Sequence, residues 1–375
     1  MRGRIITIVC GAAAAIGIGA VAVFAATSST VVKGGDSLTV KCDGTKLSSS
    51  RVDTKTVKLT CAASATPATA TSTTTTTATS TTTATATATS TPPSSSVANV
   101  GGCQVFPANN PWNQDVSALP VHPNSAKYIA NMTSRSNKFL HADFGGGGVY
   151  GIPYNVVPAT QAMVPITFTA YGNESDPGPY PVPAGAKVEG GSDRHVLVVR
   201  QGECTLYELY NARPDGSGGW LADSGAVFNL ASNALRPDYW TSADAAGLPV
   251  LAGLVRYDEV AAGAVLHALR FTVQSTQRGF IHPATHYASS STDANLPPMG
   301  LHVRLKASFD TSGYTGQSRV ILEGLKKYGM IVADNGGDWY VTGASDTRWN
   351  DTDLDQLKRV PGSAFEAVDT GPIIK

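Results

Sequence analysis

From Leu59 to Gln114 the chain carries no charged residue, and this gap divides everything else. Within it, residues 62–96 are Thr, Ala and Ser throughout, apart from Pro67, Pro92 and Pro93. A segment without apolar periodicity buries no core and cannot offset the entropy of ordering its backbone. Thr- and Ser-rich tracts broken by proline are also natural acceptors of O-linked sugars. Residues 63–98 are therefore expected to be a disordered linker between a small N-terminal piece and a large body.

The N-terminus reads as an export signal. Met1-Arg2-Gly3-Arg4 is a short positive region, and residues 5–26 form an apolar run. Val23 and Ala25 suit the −3 and −1 positions of a cleavage site, so residues 1–25 are expected to be removed. The rival reading is an uncleaved anchor, because the run is also long enough to span a bilayer. Only in that case would the chain touch a membrane. Either way the bulk of the chain is expected to be secreted or held at the cell surface.

Removing the leader takes Cys10 with it and leaves Cys42, Cys61, Cys103 and Cys204. An even number in an exported chain favours disulfides. The linker separates them two by two, which favours Cys42–Cys61 and Cys103–Cys204. Residues 30–62 then read as a small β module, with strands at 37–42 and 57–61 around a polar turn. A piece this short needs a staple. It is expected to be a spacer or a small binding module.

Lys plus Arg and Asp plus Glu number 28 each, and only 15% of residues are charged, so the basic field that nucleic-acid binding needs is absent. With 38 Gly and 22 Pro in a chain that is 42% hydrophobic, residues 103–375 read as one loop- and strand-rich body. Strand-like runs recur at 164–170, 195–200, 205–210, 267–273 and 301–309. A helix is expected at 317–328, stopped by Gly329. A hairpin of 330–333 with 339–341 follows, then a short helix at 351–358 capped by Asn350 or Asp351. The pattern predicts a mainly-β body, a β-sandwich or jelly roll with a small C-terminal helical appendage, expected to be monomeric.

Two segments resemble an uncharacterised family of exported bacterial proteins. One is Leu325-Lys326-Lys327-Tyr328-Gly329-Met330-Ile331-Val332-Ala333-Asp334-Asn335-Gly336. The other is Cys103-Gln104-Val105-Phe106-Pro107 with Asn110-Pro111-Trp112-Asn113. The resemblance covers the body from Cys103 onward and implies no activity. The order of small module, Thr/Ser/Pro tether and body is similar to the layout of many secreted polysaccharide-degrading enzymes.

The stretch from Asp193 to Asn211 reads as a hairpin closed by Gln201-Gly202. In that register Arg200 faces Glu203 and His195 faces Glu208, on the side of Leu197 and Leu206. A carboxylate beside an imidazole can be tuned into a general acid or base. The plainer alternative is a cross-strand ion pair. Asp143, before four glycines, is a further candidate at the rim of a cleft. Arg236-Pro237-Asp238-Tyr239-Trp240 followed by Asp244 joins aromatic rings to groups that bind hydroxyls, which suits a sugar subsite, although such rings are as often partly core. Alternation puts His267 on the face of Leu269 and Phe271, with Arg270 on the other. His282 and His286 have HxxxH spacing, but Pro283 argues against a helix and no acidic partner fits, so no metal is expected. No GxSxG elbow, phosphate loop or GxGxxG preceded by a strand is read in the sequence, and no cofactor is expected.

These residues point to a secreted glycoside hydrolase acting on an extracellular polysaccharide. Such chemistry needs two carboxylates flanking the bond. Glu208 and Asp193 would supply them, with His195 and Asp143 as the other catalytic candidates. Arg194, Asp238, Tyr239, Trp240, His267 and Arg270 would bind substrate. One rival is a polysaccharide lyase in which His195 or His267 abstracts a proton while Arg194 neutralises a uronate. The other is a surface protein that binds glycan without turning it over.

Overall fold

The computed structural model describes residues 98–375 with their side chains, Ser136 excepted, and the backbone of strands between residues 6 and 63. The chain divides into two compact units, Met1–Thr89 and Ser90–Lys375. In the first, Ser28–Lys33, Thr56–Ala63 and Thr45–Asp53 form an antiparallel sheet in that order. Thr45–Asp53 is thus a strand where a polar turn was expected. The Cys42–Cys61 bridge and the linker lie outside the described residues. So does the leader, except that Ile6–Cys10 pairs with Leu38–Cys42. Among the described residues no helix is long and apolar enough to cross a membrane.

The second unit is mainly β, and among its described residues strand outweighs helix, 26% against 18%. Its largest sheet has six strands in the order Phe365–Ala367, His302–Leu305, Met330–Asn335, Leu269–Val273, Tyr340–Thr342 and His141–Asp143. A four-stranded sheet runs Ser224–Asn229, Thr205–Tyr210, Val196–Arg200 and Tyr154–Val157. Both sheets mix parallel and antiparallel pairs, unlike the antiparallel strands of a jelly roll.

The four-stranded sheet is buried on both faces. Leu197, Val199 and Leu206 join the main core, while Val196, Val198, Tyr207 and Leu209 pack with residues of a small sheet formed by Ile166–Phe168, Trp220–Ala222 and Arg213–Pro214. That double burial explains the unbroken apolar run Val196-Leu197-Val198-Val199. The Cys103–Cys204 bridge, with a Cα–Cα distance of 5.3 Å, ties the start of the body to the turn between its two central strands.

Three expectations near the C-terminus change. Met330–Asn335 and Tyr340–Thr342 do not pair with each other. Leu269–Val273 lies between them, parallel to the first and antiparallel to the second. The helix Gly316–Lys327 is no appendage, because Ile321, Leu322 and Leu325 are wholly buried and the strand after it is interior to the six-stranded sheet. The expected helix 351–358 is two pieces, Asp351–Leu354 and the 3-10 turn Asp355–Arg359, with the Asn350 side chain accepting from Asp353 N.

Candidate active site

Register decides which side chains of the central hairpin meet. Val196 pairs with Leu209, Leu197 with Glu208 and Arg200 with Thr205. The loop is therefore Gln201–Cys204, two residues longer than expected, with Gly202 and Cys204 in left-handed backbone. Arg200 still reaches Glu203 at 3.2 Å, but within the turn. A shift of two preserves the face, so Glu208 and His195 share a side without facing each other. That side is the core. Glu208 is fully buried, accepting hydrogen bonds from Val250 N and Leu251 N at 2.9 Å each, at the start of the short helix Val250–Gly253. Burial, only partly opposed by those two bonds, pushes its carboxyl up to about 7. It lines neither of the hollows described next, and so cannot be the solvent-reachable acid expected of it.

The chemistry gathers instead on one face of the six-stranded sheet. Thr342 pairs with Asp143 across one rung, and Thr272 with Tyr340 and Tyr340 with His141 across the next. Arg270 Nη1 donates to Thr342 Oγ1 at 2.8 Å, which extends the first rung to Arg270-Thr342-Asp143. Alternation does this: Arg270 and Thr272 point to the cleft while Leu269, Phe271 and Val273 are buried in the core.

Asp334 reaches the same face through an irregularity. Phe271 pairs with Val332, yet Thr272 pairs with Asp334, so Ala333 is an extra residue. In an unbroken ladder Ala333 would face Thr272, and Asp334 would point to the side of Phe271 and Val273. The bulge reverses the parity and delivers the carboxylate to the cleft. Gly337 follows, and a Cβ there would lie 2.5 Å from the Tyr340 ring, so a side chain would displace that tyrosine.

The opposite wall comes from the loop before Val196–Arg200. Glu189 N donates to His195 O at 3.0 Å and the Glu189 carboxylate accepts from His195 N and from His195 Nδ1, closing the loop on itself. His195 Nε2 faces Ala243 O at 2.9 Å. Both ring nitrogens are thus engaged, one by the Glu189 carboxyl and the other by the Ala243 carbonyl. Arg194 has left-handed backbone and turns its Nε to Ala212 O, while exposed Asp193 lines the cleft.

These walls enclose a cavity of about 400 Å³ whose lining includes Asp143, Glu189, Asp193, His195, Arg270 and Asp334. A second hollow of about 300 Å³ shares Asp193, His195, Asp334 and Asn335 with it and adds Tyr171, Tyr210 and His286. Burial, reinforced by the Asp244 charge and opposed by Arg270, pushes Asp334 up to about 6. Asp143 shifts the same way, first from desolvation, against the Arg270 charge, with Glu189 and Asp193 adding to the rise. Glu189 goes the other way: burial raises it, but the hydrogen bond and charge of His195 outweigh that and leave it below the ordinary carboxylate value. Burial likewise opposes the charge on His195, and Glu189 more than compensates, leaving the imidazole above its usual value. Arg270 is committed to Asp244, at 2.9 Å.

The other sequence candidates lie elsewhere. His267 lies in a bend before the strand Leu269–Val273, buried, and faces Glu259 at 3.0 Å with the Arg256 guanidinium beside it. Asp238 pairs with His282 at 2.8 Å, and Tyr239, 48% exposed, donates its hydroxyl to Lys375 O. Trp240 stacks with Arg236. None of these three lines either hollow. Among the described residues no three His, Cys, Asp or Glu are grouped to hold a metal ion. Sequence reasoning did not single out Asp334 or Glu189. Asp334 carried a signal, since it ends the apolar run Met330-Ile331-Val332-Ala333 just before Asn335-Gly336-Gly337. Glu189 carried none.

No family model, curated protein or solved structure matches the chain, so the reading of this site rests on its geometry.

Proposed function

We propose that the protein is an exported glycoside hydrolase, with Asp334 as the general acid and Glu189 as the carboxylate that stays ionised. The observation that carries this reading is a pair of carboxyl groups in one cleft whose surroundings push them in opposite directions, Asp334 up to about 6 and Glu189 down. Such divergence assigns acid and base roles. Asp334 would give its proton to the glycosidic oxygen as the C–O bond breaks. Glu189 would attack the anomeric carbon or take a proton from the attacking water, and Asp143 and Asp193 would hold sugar hydroxyls. The lyase reading is weaker because its parts are engaged elsewhere. His195 has no free nitrogen to act as a base, Arg270 is neutralised by Asp244, and Arg194 is not in the cleft. The Cys103–Cys204 bridge suits the oxidising exterior, where an extracellular polysaccharide would be the partner.

The test is reducing-sugar release from a panel of polysaccharides by wild type, D334N and E189Q. Each variant should lose at least ~100-fold in rate, the scale of lost general acid–base catalysis. The wild-type rate should fall as pH rises above about 6, as Asp334 loses its proton. Near-wild-type rates in folded D334N would end the assignment. Glycan binding with no turnover by wild type would make this a binding protein.

A further inference from the structure

The cleft is longer than its acidic centre. Beyond Asp143 lies a third hollow of about 290 Å³, which shares Asp143, Ile152, Glu189 and Thr342 with the central one. The two outer hollows have no lining residue in common. The central hollow, with its carboxylates, therefore adjoins both of the others.

Each end carries exposed apolar surface that packing does not explain. At one end Tyr150 is 63% exposed and Val149 72% exposed, both lining the third hollow. Gly190 and Gly191 border the same hollow, where missing side chains leave room for a ligand beside the backbone. At the other end Tyr171 is 48% exposed, with Tyr210 lining the same hollow. A tyrosine ring offers a flat apolar face to the C–H face of a sugar and a hydroxyl to its rim. A pocket for chain ends would close on one side of the carboxylates, whereas here the cleft continues past them in both directions.

We infer that this groove holds one continuous polysaccharide strand on both sides of the bond to be cut, with Tyr150 and Tyr171 as stacking platforms at its two ends, so that cleavage falls within chains. The cutting rests on the hydrolase reading above; the binding does not. Both basic side chains of the central cavity are already paired, Arg270 with Asp244 and His195 with Glu189, so a strand of uronates would meet the carboxylates of Asp143 and Asp193 with no free cation to offset them. The strand is accordingly neutral or amino-bearing.

The experiment uses the full chain and oligosaccharide ladders from β-1,4-glucan, xylan and chitin. Titrated against D334N, binding should tighten with every added ring over several rings. It should weaken about tenfold for the long members in Y150A, and separately in Y171A, the size of one lost aromatic contact. Affinity that stops rising at two rings, tyrosine variants that bind long members unchanged, or no binding by any ladder would overturn the inference. With wild type, the viscosity of the matching polymer should drop well before reducing ends accumulate; a drop only in step with them would overturn cleavage within chains. Length-dependent binding with no reducing ends from wild type would leave the groove standing and remove the hydrolase.

Discussion

Glu208 and Asp334 are both acids raised by burial, and only one of them meets the cleft. Each has a folded value above its ordinary one. The stability each contributes is complete below the ordinary value and is lost as pH climbs through the folded one. For Glu208 that window runs from 4.5 to about 7, and for Asp334 from 3.8 to about 6. Their substitutions should separate cleanly. E208Q sets an amide N–H against the N–H of Val250 or Leu251, so urea unfolding should show a loss of about 1–3 kcal/mol, the cost of an unmet buried donor. The pH-dependent decline between 4.5 and about 7 should flatten, while turnover per folded molecule stays within about twofold of wild type. A hundredfold loss of activity in folded E208Q would return that residue to the chemistry. D334N should do the reverse. It removes a disfavoured charge beside Asp244 and should gain on the order of 1 kcal/mol at pH 7 while activity collapses, the trade expected where a site stores unfavourable electrostatics.

At the scale of elements, two irregularities position the site. The bulge at Ala333 turns Asp334 toward Thr272, and the loop 189–195 folds back so that Glu189 and His195 hold each other. Bulges recur beside functional sites because one extra residue re-aims a side chain without dismantling the sheet. A covalent tie steadies the neighbouring hairpin. Cys103 and Cys204 are 101 residues apart, and in the chain-entropy model closing such a loop is worth up to ~4.7 kcal/mol. The double variant C103S/C204S should unfold about 2–5 kcal/mol more easily, and reductant should lower the wild-type melting temperature to near that of the variant while leaving the variant unmoved. Non-reducing peptide mapping should recover Cys103 joined to Cys204. A melting temperature indifferent to reductant would mean that the bond adds nothing to stability.

Across the whole molecule, every carboxylate placed in the cleft belongs to the unit Ser90–Lys375, and all of its sheets close within that unit. A chain starting at residue 98 should therefore keep the melting temperature of the full chain within a few degrees and keep its rate on a dissolved polysaccharide. Limited proteolysis of the full chain should leave a resistant fragment beginning near Cys103. Aggregation of the shortened chain, or a large drop in its melting temperature, would show that the N-terminal unit supports the body.

Local pattern was enough for the strands Val196–Arg200 and Thr205–Tyr210, for the helix Gly316–Lys327 with Gly329 as its stop, and for the Cys103–Cys204 pairing. In each case the signal lies in consecutive residues or in a linker that separates the cysteines. The split of Leu269–Val273 to one face for the core and the other for Arg270 was legible too, because alternation is a property of the strand itself. What alternation could not say is which face meets water. The side of Leu197, Leu206 and Glu208 is core because the six-stranded sheet packs there, and the side of Arg270 and Thr272 is cleft because the loops 189–195 and 241–245 stop short of covering it. Strand order was equally non-local: nothing between Met330 and Thr342 announces that Leu269–Val273 will come between its two strands. Glu189 and Asp334 lie far apart in the chain and come to line one cavity only when the two sheets close around it. The residues carried the means of forming each element, and tertiary packing alone decided which of their acids met solvent and which were sealed from it.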